Sequence, residues 1–76
     1  MNKERRKSIT NTIEKLQEIN ETISIILEEE EIYRDNMPEN LQNSEKYEKA
    51  DQACDNLQEC MDELESIIDM LEIASE

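Results

Sequence analysis

Cys54 and Cys60 are the strongest nucleophiles in this 76-residue chain, and no histidine is present to deprotonate either. General acid–base chemistry near neutral pH therefore lacks its commonest side chain. Both cysteines fall on apolar rows among carboxylates, surroundings that raise a thiol pKa and quench the thiolate. Six residues apart on a helix, they point about 120° from each other and cannot pair within it. They read as small core hydrophobes. The carboxylates offer no better chemistry. A di-metal bundle site needs Glu-x-x-His motifs, and a structural zinc site needs Cys-x-x-Cys or histidine ligands; neither occurs. The segment from Asp35 lacks the spacing and central glycine of a calcium loop. Glu28, Glu29, Glu30 and Glu31 form an unbroken acidic run, which reads as a solvated face or as carboxylates that imitate nucleic-acid phosphates. The expectation is a non-enzyme with no cofactor and no metal.

The elements that must position these residues are helices. The chain has no glycine, one proline, no Trp or Phe, and much Glu, Lys, Gln, Leu and Ile. Hairpin turns of a β protein lean on residues with positive φ, which glycine supplies, so the composition selects helix. One domain spans 1–76. Helix 1 is expected over about 3–35, a break over 36–43, and helix 2 over about 44–74. Pro38 cannot sit inside a regular helix and biases Met37 away from helical geometry. It can open a short turn running to Gln42. Asn43 or Ser44 then caps helix 2, with Glu45 facing the positive end of its dipole.

Helix 2 carries the most regular pattern. Tyr47, Cys54, Met61 and Ile68 recur every seven residues, as do Ala50, Leu57, Leu64 and Leu71. A third row, Ala53, Cys60, Ile67 and Ala74, flanks them. Three apolar rows in seven suit a bundle rather than a narrow two-stranded seam. In helix 1, Ile9, Ile13, Leu16, Ile19, Ile23, Ile26, Leu27 and Tyr33 read as one stripe. A polar gap falls at Asn20, which either fixes register or stays wet at the stripe's edge. Ile25 and Ile32 share a face nearly opposite that stripe and form a candidate partner-binding pair. Tyr33 and Tyr47, on either side of the break, are two further candidates.

Charge completes the reading. The net charge is −13, with residues 2–7 carrying four bases and one acid, and residues 16–76 carrying nineteen acids and three bases. Bases at the start of helix 1 and acids at the end of helix 2 each oppose their own helix dipole. An antiparallel hairpin brings those ends together, where opposite charges offset both penalties. A single hairpin leaves its three-row faces wet, so two copies are expected to form a four-helix bundle as a homodimer. A monomeric three-helix arrangement using 38–43 is the alternative. So acidic a body is repelled by nucleic acid and anionic membranes, and direct binding to either is not expected. The partner expected is a protein of unknown identity. Lys3, Arg5, Arg6 and Lys7 precede a segment too polar for a signal peptide, and no apolar run is long enough to span a bilayer. A cytoplasmic location with reduced thiols follows.

The stretch Tyr33-Arg34-Asp35-Asn36-Met37-Pro38-Glu39-Asn40-Leu41-Gln42-Asn43-Ser44-Glu45, followed by acidic heptads, resembles a group of small uncharacterised acidic helical-hairpin proteins of phages and mobile elements of Gram-positive bacteria. The resemblance covers about residues 28–72. It implies origin and fold and carries no function. Three functions compete: a non-catalytic protein–protein interaction module acting on a host protein, an acidic mimic that occupies the basic groove of a DNA- or RNA-binding host protein such as a nuclease or defence factor, or an accessory protein of transcription or replication.

Overall fold

The computed structural model describes all 76 residues. It is all-helical, with two helices packed against each other as an antiparallel hairpin: α1 (Lys3–Asp35) and α2 (Glu45–Ala74), joined across a 3-10 turn at Glu39–Leu41. Three residues of 3-10 turn are too few to form a third packing helix. The two helices lie along a rod 59 Å long and 15 Å by 12 Å across. Neither helix is long and apolar enough to cross a membrane.

Each end has a local cause. At the start of α1, the Asn2 side chain accepts a hydrogen bond from the Arg5 amide at 2.8 Å, satisfying one of the orphan donors of the first turn. Within α1, Thr10, Thr12 and Thr22 donate their hydroxyls to carbonyls four residues back, so these polar β-branched residues are satisfied locally. The Asn36 amide closes α1 on the Ile32 carbonyl at 3.0 Å and the Met37 amide donates to the Arg34 carbonyl at 3.3 Å, and extended backbone at Pro38 turns the chain away. Ser44 caps α2, accepting from the Tyr47 amide at 3.3 Å, with Glu45 and Glu48 in the first turn.

The seam between the helices is a strict alternation of threes and fours on both sides. On α2 it runs through Tyr47, Ala50, Cys54, Leu57, Met61, Leu64, Ile68 and Leu71, all buried or half-buried, as the heptads require. On α1 it runs through Ile9, Ile13, Leu16, Asn20, Ile23, Leu27, Glu30 and Arg34 to Met37. The expected α1 stripe needs correcting in three places. Ile19, Ile26 and Tyr33 are 50%, 45% and 45% exposed and lie beside the seam. Asn20, Leu27 and Arg34 hold the seam positions beside them, and Glu30 holds the one between the last two. Asn20 therefore belongs to the seam itself, and its Oδ1 is buried without a hydrogen-bond partner. Reading only apolar residues misplaced the stripe, because the packing period persists through polar residues.

The core is thin. Only Leu27, Met37, Ala50, Cys54 and Ile68 are buried, and no side chain is completely enclosed. The ion pairs sit at the hinge half of the rod. Arg34 donates to Asp35 at 3.0 Å and, across the seam, to Asp51 at 2.9 Å. Lys49 pairs with Glu45 at 3.3 Å. The bases of the first α1 turn share the open end of the rod with Asp69 and Glu72, yet none of the ion pairs involves them.

Candidate protein-binding interface

Heptad position sorts every helical residue onto one of four faces, and two contacts fix which faces adjoin. The Lys46 ammonium stands 5.9 Å from the centre of the Tyr33 ring, a cation–π distance. That contact places the α1 row Arg5, Thr12, Ile19, Ile26, Tyr33 on the same side as the α2 row Lys46, Ala53, Cys60, Ile67, Ala74. On the other side, Gln17 of α1 and Glu65 and Glu72 of α2 border one shallow cleft of about 330 Å³. The rod thus has an apolar flank and an acidic flank.

Charge separates along the same line. The acidic flank and the row next to it on each helix carry twelve acids, from Glu14 to Glu72, against only Lys3 and Lys7, a net charge of −10. The corresponding rows around the apolar flank carry Arg5, Lys15, Lys46 and Lys49 against Glu29 and Glu63, a net charge of +2. A chain with net charge −13 therefore presents one long side with no negative excess. That side also holds the exposed apolar residues Ile19, Ile26, Tyr33 and Ile67. An aligned apolar row with little net charge around it is the physical signature of a contact surface.

The residues singled out from sequence do not form one site. Ile25 and Ile32 stand 57% and 54% exposed on the outer face, directly opposite the seam. Tyr33 lies on the apolar flank, whereas Tyr47 is half-buried in the seam. The two tyrosines share the hinge end but serve different faces. Beside Tyr33, a notch of about 330 Å³ opens between Met37, Pro38, Leu41 and Lys46.

The acidic run is not a face at all. Four consecutive residues turn through a full circle at about 100° each, so Glu28, Glu29 and Glu31 are exposed in different directions while Glu30 is half-buried. The continuous array of carboxylates is the acidic flank, which draws on both helices. No cluster of three or more acidic or thiol groups converges as metal ligands.

The thiols differ in setting. Cys54 is buried in the seam and Cys60 is exposed on the apolar flank. Burial pushes the Cys54 thiol up from its ordinary value, outweighing the Arg34 guanidinium, which pulls it down. Arg34 is itself held above its ordinary value, first by its hydrogen bond to Asp35, and so stays charged in the seam.

No known protein family, curated protein or solved structure matches the chain.

Proposed function

We propose that this chain is a non-catalytic protein–protein interaction module that pairs with a second copy to form a four-helix bundle and docks on another protein, in the setting of a phage or mobile element acting on its host. The thin core carries the first half of this reading. Five buried residues in 76, with none fully enclosed, leave one hairpin little apolar burial to offset the ordering of two helices. A second copy supplies the missing layer. Ile25 and Ile32 remain outward in such a bundle and offer an apolar docking row. The acidic flank also stays outward and favours a partner with a basic surface. The absence of histidine and the placement of both thiols on packing rows support a role without catalysis.

Two measurements test the reading. Sedimentation equilibrium at tens of micromolar should give twice the 9.0 kDa monomer mass, and a clean monomer contradicts it. Affinity capture from the native host should yield a partner whose binding survives high salt and is lost in the Ile25→Asp/Ile32→Asp double variant.

The segregation of charge favours a second reading, mimicry of nucleic acid. Along a 59 Å rod, ten net charges on one flank give about one per 6 Å, sparser than the ~3.4 Å spacing of a nucleic-acid strand. A mimic would capture nucleic-acid-binding proteins such as nucleases, release them to competing DNA, and lose them in high salt. The lower charge density places this reading second.

A further inference from the structure

The apolar flank and the distribution of charge along the rod identify both the seat of the second copy and its direction. We infer that two hairpins pack apolar flank to apolar flank, head to tail, about a two-fold axis that crosses the rod at the level of Cys60. The inference rests on the dimer reading above and fixes its geometry.

Level along the rod follows from the seam. Met61 lines one cleft with Asn20 and Ser24, so Cys60 stands level with about Thr22 and Ile23. Ile19 and Ile26 then lie equally far on either side of that level, on the same flank. Cys60 is also at the middle of α2, which runs from Glu45 to Ala74. A two-fold axis there sets Cys60 against the partner's Cys60. It also sets Ile19 against the partner's Ile26, and small Ala53 against the partner's larger Ile67. The side-by-side alternative has its axis along the rod. It lays each α2 over the partner's α1 and keeps the two Cys60 thiols diagonal across the bundle.

Charge along the rod chooses between them. The hinge end, residues 28–51, carries nine acids and three bases, net −6. The open end, residues 3–10 with 69–76, carries four of each and is neutral. Side-by-side packing brings two hinge ends of −6 together. Head-to-tail packing sets each hinge end against an open end instead. There Arg5, which lies on the apolar flank and takes no part in the hairpin's own ion pairs, meets the partner's hinge end. The size is adequate. A face 59 Å by 15 Å offers roughly 900 Å², against about 800 Å² per partner in a standard interface.

Two cysteine variants test the geometry, and the mass in solution tests the reading beneath it. In the first, Cys54→Ala leaves Cys60 as the sole thiol, and diamide accepts two electrons and two protons as two thiols become one disulfide. Head-to-tail packing predicts rapid conversion to a disulfide-linked dimer, because the two Cα atoms fall within the reach of a bridge, under about 7 Å. In the second, Cys54→Ala/Cys60→Ala/Glu4→Cys carries a spin label at the open end of each copy. At 1.5 Å per residue the two labels should lie about 55 Å apart. Side-by-side packing puts both labels at one end, within about 30 Å, and that result overturns the inferred direction. A dimer with the long label distance but no Cys60 linkage overturns the choice of flank. Monomeric sedimentation overturns the dimer reading itself, whatever the labels report.

Discussion

Neighbouring residues on α1 have opposite surroundings, and substitutions should reveal it. Ile25 and Ile26 are both largely exposed and adjacent in sequence, yet one faces outward and the other lies on the apolar flank. Ile26→Asp should dissociate the dimer, lowering its association constant by roughly 100-fold or more, because it removes an apolar anchor from the interface and leaves a desolvated carboxylate in its place. Ile25→Asp should leave the mass in solution unchanged. Sedimentation of the two variants side by side checks this. Leu27 tests the seam itself. It is buried, and Leu27→Ala should cost about 2–4 kcal/mol in urea unfolding. Cys54 tests burial through pH. Its folded-state pKa lies above the ordinary value of 9.0, so the folded state holds the proton longer than the unfolded chain. The resulting stability is complete below pH 9 and is lost as pH climbs through the raised value. The unfolding midpoint of the native chain should thus fall more steeply above pH 9 than that of Cys54→Ala.

At the level of the helix, α2 was legible in the sequence and α1 only in part. The α2 heptads are apolar at nearly every seam position, so the period could be read from residue type alone. In α1 the seam passes through Asn20, Glu30 and Arg34, while Ile19, Ile26 and Tyr33 lie one position aside. Apolar residues there belong to two rows, and residue type cannot say which row packs against α2. The unbroken alternation of threes and fours from Ile9 to Met37 was the available signal. The break was readable for a local reason: proline and the Ser44 cap act within a few residues. Ser44→Ala should cost about 1 kcal/mol and raise amide exchange in the first turn of α2. Asn20 holds a buried, unpartnered oxygen in the seam. Asn20→Leu should raise the melting temperature by removing that unpaired acceptor. If Asn20 also sets register, the same variant should broaden the distribution of oligomers.

The whole molecule is a rod with two unlike sides, and this is the feature single-helix reading could not supply. The outer pair Ile25 and Ile32 needs only the 100° turn per residue to be placed. The flanks need the rotation of both helices about their common seam, which the break does not specify. Once Tyr33 and Lys46 fix that rotation, twelve acids fall on one side and the apolar rows that flank the seam on the other. A chain with net charge −13 can pack against its own copy because the contact side carries no negative excess. Sedimentation equilibrium of the native chain at tens of micromolar, in 0.15 M salt where the Debye length is about 8 Å, tests this most directly. A mass of twice 9.0 kDa is the predicted result. A stable monomer at 9.0 kDa contradicts it, because the apolar flank would then stand uncovered in solution.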